Sequence, residues 1–365
     1  MSKDRARITI VFLIMAGGLL LKPSAASAQI LPCDTVRLFF IGDVMLHKAQ
    51  IGKEYTPFLE DLKPLVSRAG LAAANMEFPL GGKPYTGYPS FSAPDSYAEY
   101  IASLGFNVFL TANNHILDKG TAGLERTLEK YSAMKGVRFT GTAGKEVPDS
   151  TVNPLFVNVN GARIALVNFT YGTNYGEPPA SSGVRVRLMK KEDTQELLRR
   201  ARDGGADFIV ALPHWGEEYS LKHSSAQEKY AAWLAEEGAD VVIGAHPHVV
   251  QDTCSIVTSD GRRVPVVYSL GNAVSNMSAI NTRLGLAATI TIVRRFLGQV
   301  EYKGIRLDFL WCTLPGALQD NYKTVLVQDR IGRRDEWLRG ADYDNMTATL
   351  ERVKNKTGID KKEIE

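Results

Sequence analysis

Short apolar runs along the chain predict a series of buried strands. They cover residues 36–41, 107–110, 164–167, 208–212, 241–243, 264–268, 286–293 and 305–311. Because nearly every position in these runs is apolar, the strands suit sheets that are covered on both faces. Longer segments with helical spacing lie between several of them, and this alternation predicts a layered α/β fold.

Helix signals mark some of the intervening segments. Ser225 and Glu228 have the spacing of a capping box, which predicts a helix over residues 226–237. The spacing of apolar residues predicts two further helices, around 124–131 and 197–201.

The two ends of the chain differ in composition from the middle. Basic residues precede the apolar run 8–21, and the small-residue ending Ala26-Ser27-Ala28 follows it, so residues 1–28 are predicted to be a signal peptide. One domain is then expected over 29–327, and 328–365 is predicted to be a charged, exposed helical tail with a frayed end. We therefore expect export to the periplasm or cell surface, with membrane association as an open alternative.

Membrane attachment and cysteine pairing stay open at this point. The apolar run is 14 residues long, short of the roughly 20 that a membrane span requires, so an uncleaved anchor is the weaker interpretation. Cys33 could be lipidated, although the proline before it fits that signal poorly. Three cysteines are too few for a disulfide framework, but Cys254 and Cys312 could pair in an oxidising compartment.

The mature chain is formally neutral. The whole sequence has 43 basic and 40 acidic residues, and residues 1–28 hold four of the former and one of the latter, which leaves 39 of each. Binding to nucleic acid needs a basic surplus on one face, so no nucleic-acid partner is expected.

Polar residues cluster where the predicted strands end. These positions hold the segments 42–43, 111–115, 213–216, 244–248 and 271–272, which contain four of the six histidines. Since the carboxyl ends of strands in α/β sheets meet at one edge, we expect these side chains to form a single site.

The residue types at these strand ends suit a metal. Asp43, Asn114, His214, His246 and His248 offer carboxylate, amide and imidazole donors, the ligands expected for Zn, Mn or Fe. One or two such ions could acidify a bound water or polarise a carbonyl or phosphoryl oxygen. The lack of cysteine in the set argues against a purely structural zinc site.

The same segments carry motifs that resemble the CapA family, which is linked to poly-γ-glutamate capsule synthesis. They are G-D-V-M at 42–45, N-M-E-F-P at 75–79, A-N-N-H at 112–115, H-W-G-E-E-Y at 214–219, G-A-D-V-V-I-G-A-H-P-H at 238–248 and Y-S-L-G-N at 268–272. The resemblance covers about residues 36–276. It implies a four-layer fold similar to that of the calcineurin-like metallophosphoesterases: a two-sheet β-sandwich flanked by helices, with a two-metal site at one edge.

The resemblance also implies individual roles. It makes Asp43 the first aspartate ligand, Asn114 the asparagine ligand, His214 the lone histidine ligand, His246 and His248 the terminal histidine pair, and His115 the catalytic histidine.

The sequence departs from the metallophosphoesterase pattern at two positions. Met45 stands where a histidine ligand is expected, and the bridging aspartate corresponds to the region of Asn75 and Glu77, of which Glu77 is the expected ligand. One metal site is therefore expected to be weakened, altered or empty, and phosphoester hydrolysis does not follow from the resemblance alone. His47 is a candidate extra ligand. Glu217 and Glu218, beside His214, are candidate groups for orienting an imidazole or for catalysis, and Glu217 is the preferred one.

Three functions fit these observations. The first is a metal-dependent hydrolase or transferase acting in the envelope on a γ-glutamyl or similar amide-bearing anionic polymer or peptide, with His115 as the acid. The second is a phosphoesterase with the same chemistry. The third is a non-catalytic subunit that binds the polymer, alongside membrane subunits of a capsule synthase.

Overall fold

The computed structural model describes residues 34–295 and 298–360. The predicted signal peptide, Cys33 and the frayed end of the tail beyond residue 360 lie outside these ranges. The described residues form one compact unit. Within the described ranges, no helix combines the length and the apolar character needed to traverse a bilayer.

The described strands and helices largely alternate through the first part of the chain. In order, the strands are β1 (Asp34–Val44), β2 (Leu71–Met76), β3 (Val108–Leu110), β4 (Arg138–Thr140), β5 (Thr142–Ala143), β6 (Leu155–Val159), β7 (Ala162–Thr170), β8 (Arg185–Val186), β9 (Phe208–His214), β10 (Val241–Ile243), β11 (Thr253–Val257), β12 (Arg263–Val267), β13 (Asn272–Val274), β14 (Leu284–Arg294), β15 (Val300–Thr313) and β16 (Lys323–Leu326). The helices are α1 (Lys63–Val66), α2 (Asp95–Ser103), α3 (Gly120–Ala133), α4 (Asp149–Val152), α5 (Lys191–Asp203), α6 (Ser225–Glu236) and α7 (Gly340–Thr357).

The first large sheet contains eight strands. Its order is β16-β15-β14-β1-β2-β3-β4, with β13 beside β1. Strands β1 to β4 are parallel to one another, whereas β14 runs antiparallel to β1. At the end of β1, strand β13 takes the place of β14 and pairs Asp43 with Asn272. The end of β1 therefore has a parallel neighbour on each side.

The second large sheet contains six strands in the order β11-β12-β10-β9-β7-β6. Its central strands β12, β10, β9 and β7 are parallel, and the edge strands β11 and β6 are antiparallel to their neighbours. The carboxyl ends of the parallel strands therefore meet at one edge, as they do in the first sheet.

Helices cover the outer face of each sheet. Leu38 and Phe40 of β1 pack in the core between the sheets, while Phe39 and Ile41 pack in a second core that includes side chains of α2 and α3. A third core joins the outer face of the second sheet to α5 and α6. Each such fully buried side chain contributes about 1.5–3 kcal/mol. This helix–sheet–sheet–helix arrangement confirms the predicted fold class.

Strand β2 is absent from the sequence prediction. Its sequence, Leu71-Ala-Ala-Ala-Asn-Met76, is rich in alanine, which favours a helix over a strand. All six residues are buried between β1 and β3. Tertiary packing between two strands therefore overrides the local preference.

The capping box of α6 lies one residue earlier than predicted. The Ser224 hydroxyl accepts the backbone N–H of Gln227 at 3.3 Å, and the Gln227 side chain accepts the Ser224 N–H at 2.9 Å. Gln227 is buried and donates to Gln251 at 2.8 Å, which fixes its side chain. Glu228 is exposed, and the Ser225–Glu228 prediction is wrong.

The C-terminal segment is helical, but the prediction that it is exposed is wrong. Met346 and Val353 of α7 are fully buried and belong to the core between the sheets. At the start of α7, Asp342 accepts two hydrogen bonds from Arg283, at 2.6 and 2.8 Å. Because the sequence beyond residue 328 contains many charged residues, its pattern did not indicate this apolar face.

The Cys254–Cys312 pairing that the sequence left open does not occur, since both cysteines are free. The Cys254 thiol interacts with the Tyr268 hydroxyl at 3.5 Å, and the Cys312 thiol donates to the Ser275 carbonyl at 3.4 Å. Each thiol therefore has its own polar partner.

Candidate metal centre

Strand β1 delivers Asp43 to the edge where the parallel strands end. The ladder register shifts around Asp43, which lies opposite Asn75 of β2 and Asn272 of β13, and such irregularities redirect side chains. The preceding Gly42 is required by close packing, because a Cβ there would lie 1.8 Å from the Gly271 carbonyl oxygen. Asp43 is fully buried.

The second sheet brings His214 to the same edge. His214 is the last residue of β9 and forms a parallel bridge with Ala245, which follows β10. The Ala245 N–H donates to the Pro213 carbonyl at 3.0 Å. The turn after β10, which carries the other two histidines, is thereby held against the end of β9.

That turn has an unusual backbone. His246 has φ +101° and His248 has φ +59°, a left-handed conformation that costs roughly 1–3 kcal/mol for a residue other than glycine. The His246 N–H donates to Asp43 Oδ2 at 3.2 Å, which ties the turn of the second sheet to the first. Strain of this kind is characteristic of functional sites.

The predicted donors converge on two adjacent groups. Asp43, Glu77 and His248 offer one set of ligand atoms within 4.8 Å of one another, and Glu77, His214 and His246 offer a second. Glu77 belongs to both: its Oε1 lies 3.6 Å from His214 Nε2 and 3.9 Å from His248 Nε2. The arrangement suits two neighbouring cations that share one carboxylate.

Unpartnered polar atoms in this cluster test whether a cation fits. Neither carboxylate oxygen of Glu77 has a hydrogen-bond partner, and neither does Nδ1 of His246, although all three atoms are buried. A buried carboxylate without a partner is costly, and a divalent cation removes that cost. Carboxylates and imidazoles together suit Zn, Mn or Fe.

Three asparagines hold the donors in place. Asn75 donates to Asp43 Oδ1 at 2.7 Å, and the Asn114 side-chain oxygen lies 2.8 Å from His214 Nε2. The side-chain oxygen of Asn272, at the start of β13, lies 3.0 Å from Nδ1 of His248. Asn114 is thus placed among the donors, whereas Asn75 and Asn272 orient them.

Burial and neighbouring charges shift the pKa values in the cluster. Burial, followed by the charge of Asp43, raises the pKa of Glu77 well above its ordinary value. Burial lowers the pKa of His214 well below its ordinary value and that of His246 to about 3. Burial opposes the charged form of His248, but Glu77 and Asp43 outweigh it and raise its pKa to about 10. His214 and His246 are therefore neutral, the form that binds metals.

His115 lies beside the donors with partners of its own. Its Nδ1 is 2.8 Å from Oδ2 of Asp118 and 3.3 Å from Nδ2 of Asn174. Asp118 is buried and also accepts the Phe91 N–H at 2.7 Å, so its carboxylate is fixed. A carboxylate that holds one ring nitrogen orients the other for proton transfer.

Sequence reasoning missed Asp118 and Asn174 as site residues; it placed Asn272 at the predicted site but gave it no role. Asp118 had a local signal, because it stands three residues after His115 in the same turn. Asn174 had none, since it comes from the loop after β7, 59 residues along the chain from His115.

The structure does not bring His47 into either donor group. Its Nδ1 accepts the Asn276 N–H at 3.1 Å, and burial lowers its pKa to about 4. Met45, two residues after Asp43, is buried in the apolar core and offers no imidazole.

The glutamate at the edge of the cluster is Glu218, the neighbour of the preferred candidate Glu217. Glu217 is exposed and belongs to no donor group among the described residues, whereas Glu218 forms a group with His246 and His248. The sequence could not separate the two, because they are adjacent and chemically identical.

Three exposed tyrosines, here called the tyrosine rim, surround the cluster. They are Tyr88, Tyr171 and Tyr219. Their rings lie 6.4 Å from His115, 4.5 Å from His246 and 6.3 Å from His248, respectively. Since each comes from a different loop, the rim offers aromatic faces and hydroxyls on several sides of the site.

Relatives of this chain include two Bacillus proteins. The chain is 29% identical over 269 residues to the capsule biosynthesis protein CapA of Bacillus anthracis, which covers 68% of this chain and 62% of that protein. It is 26% identical over 263 residues to the PGA biosynthesis protein CapA of Bacillus subtilis (strain 168), covering 68% and 66%. The alignments thus span about two thirds of each relative.

Solved structures show partial likeness. The 5'-nucleotidase precursor from Thermus thermophilus aligns at TM-score 0.47 and 14% identity, over 88% of this chain and 59% of that one. The NAD nucleotidase of Haemophilus influenzae aligns at TM-score 0.48 and 13% identity, over 91% and 65%.

A family model matches the part of the chain that holds the site. The model describes the bacterial capsule synthesis protein PGA_cap and matches residues 37–277, well over half of the chain. The matched segment runs from β1 to just beyond β13 and contains every donor of the two groups. The chain belongs to this family of bacterial capsule synthesis proteins.

Proposed function

We propose that this chain is an exported, metal-dependent hydrolase or transferase that acts in the cell envelope on a γ-glutamyl or similar amide-bearing anionic polymer or peptide. Its cofactors are one or two divalent ions, Zn, Mn or Fe. The observation that carries the proposal is the contact of 2.8 Å between His115 and Asp118 beside the donor cluster. A site that only binds polymer has no need of a carboxylate-oriented histidine.

The roles of the side chains follow from their positions. A bound divalent ion supplies Lewis acidity toward the carbonyl oxygen of the scissile amide. In hydrolysis the C–N bond breaks, the carbonyl carbon gains the hydroxyl of a water, and the leaving nitrogen takes a proton from His115. The remaining proton of that water then restores the proton of His115. Asp118 engages Nδ1 of His115, which leaves Nε2 for this transfer and stabilises the charged ring. In transfer, an amine takes the place of water.

The tyrosine rim supports a chain-like substrate. Its members are exposed and lie on several sides of the donor cluster. Tyrosine can pack its ring on the methylenes of a glutamyl unit while its hydroxyl bonds to an amide. The names of the two Bacillus relatives, which concern capsule and PGA biosynthesis, agree with a polymer substrate in the envelope. Membrane subunits of a capsule synthase are the proposed partners.

A phosphoesterase is the second candidate. It is favoured by the sharing of Glu77 between the two donor groups, because paired ions clamp the attacking and leaving oxygens in phosphoryl transfer. The non-catalytic polymer-binding subunit is the third candidate, and it predicts binding without turnover.

One experiment separates the three candidates. The mature protein is stripped with a chelator, reloaded separately with Zn, Mn or Fe, and incubated with γ-glutamyl peptides, poly-γ-glutamate and phosphoesters. Metal-dependent release of new amino groups supports the proposal. Release of phosphate alone replaces it with the phosphoesterase. Polymer binding without any turnover favours the third candidate.

A further inference from the structure

A carboxylate from an exposed loop reaches the donor cluster from outside. Glu218 lies in the loop after β9, and ligand atoms of Glu218, His246 and His248 are within 4.8 Å of one another. His246 is buried, and its Nδ1 has no hydrogen-bond partner. The sequence gives Glu218 no distinction from Glu217, so its position beside the histidines is a property of the fold.

The backbone of this loop is fixed where it carries Glu218. The N–H of Tyr219 donates to the Pro247 carbonyl at 2.8 Å, in the middle of the histidine turn. Tyr219 also has φ +67°, a left-handed conformation that is unfavourable for a bulky residue. Its ring lies 6.3 Å from that of His248. The loop and the histidine turn are thus joined directly, and Glu218 precedes the joining residue.

Without Glu218, the two sides of the cluster differ in the number of donors that they offer. One side has the donors Glu77, His214 and His246, together with the Asn114 oxygen 2.8 Å from His214. The other has Asp43, Glu77 and His248. Met45, close to Asp43 in the chain, points into the apolar core and adds nothing to the poorer side.

We propose that Glu218 is a metal ligand that supplies a further carboxylate beside His246 and His248, where the two sides of the cluster meet. The proposal rests on the metal-dependent function proposed above. A further hard carboxylate among the imidazoles shifts the site toward Mn or Fe in preference to a softer ion. Because Glu218 is exposed, this ligand reaches the ion from the solvent side of the site.

The test compares Glu218→Gln with Glu217→Gln in the full mature chain. The two substitutions remove the same charge from neighbouring exposed positions, and of the two residues only Glu218 has its carboxylate beside the histidines. Mn²⁺ binding to chelator-stripped protein is measured by isothermal titration calorimetry and by electron paramagnetic resonance. Circular dichroism melts of the two variants without metal check that both remain folded.

The expected result is specific to Glu218. Glu218→Gln weakens Mn²⁺ binding at one of two sites by about tenfold or more. Even residues that only hydrogen-bond to a metal ligand contribute about 10–100-fold in metal affinity. The Glu217→Gln variant binds Mn²⁺ like the unmodified chain. The resonance spectrum of the Glu218 variant loses the coupling of a pair of Mn²⁺ ions.

Three outcomes would overturn the proposal, and they differ in whether they also contradict the proposed function. Equal binding by both variants and the unmodified chain rejects the ligand role and leaves the proposed function intact. Lost turnover with unchanged Mn²⁺ binding assigns Glu218 to the substrate instead. If the unmodified chain binds no divalent ion, this inference and the proposed function both fall.

Discussion

Replacing Asp118 with asparagine tests the catalytic role of His115 without removing any donor of the metal groups. The side-chain oxygen that remains can still accept the Phe91 N–H, which Oδ2 now accepts at 2.7 Å. The change removes the negative charge 2.8 Å from Nδ1 of His115. The charged form of the ring is therefore less stable in the variant, and the ring is less firmly oriented.

The expected loss follows from the strength of that contact. A hydrogen bond to a charged group contributes about 1.5–3 kcal/mol, and each 1.36 kcal/mol is tenfold in rate. Asp118→Asn should therefore lower kcat by about 10–150-fold. His115→Ala should lower it by about 10²–10⁴-fold, the contribution of a positioned general acid. Both variants should retain their metal content and nearly unchanged KM, because neither residue belongs to a donor group.

The assay is steady-state turnover of the metal-loaded protein across pH, with metal content measured in parallel. The double variant should be no slower than His115→Ala alone, since Asp118 acts through that ring. Asp252→Asn is the matched control: Asp252 contacts His223 Nδ1 at the same 2.8 Å, outside both donor groups. Additive losses in the double variant, or loss of metal in Asp118→Asn, would refute the assignment.

Three further predictions concern the metal, the N-terminus and stability. His246→Ala removes a donor, so metal content and turnover should fall together in parallel assays; a fully loaded, inactive variant would contradict this. The exported protein should begin at or near Gln29 when its N-terminus is sequenced, and secreted protein that retains Met1 would contradict cleavage. Burial raises the pKa of Asp240 to about 6, so its contribution to stability is present below the unfolded pKa near 4 and is lost as pH rises through 6. In Asp240→Asn, the urea midpoint of unfolding should change less between pH 4 and pH 7 than it does in the unmodified chain. An equal change in both proteins would exclude Asp240 as the cause of this pH dependence.

Half of the sixteen described strands could be predicted, because those eight are apolar and bounded by polar turns. The runs around Phe40, Val210 and Ile243 are buried strands in the structure. The signal failed for β2, where alanines are required by close packing between β1 and β3. For α7 the helix was predicted, but abundant charge masked the apolar face that packs in the core. In both cases the decisive interactions are with residues distant in sequence.

The donors were predictable for a different reason. Asp43, His214 and His248 stand at or just after strand ends, and parallel strands bring such ends to one edge whatever the details of packing. The groups that orient or supplement them were not predictable in the same way. Asn174 and Glu218 come from loops, and only the fold shows which loop residue reaches the site.

The central claim is that two divalent ions share the buried carboxylate of Glu77. The most direct test is a crystal structure of the Mn²⁺-loaded protein with anomalous scattering data. The account predicts two peaks about 3.5–4 Å apart, one beside Asp43 and His248 and the other beside His214 and His246. Crystals that show no peak at this edge of the sheets, with both oxygens of Glu77 in contact with protein groups alone, would contradict it.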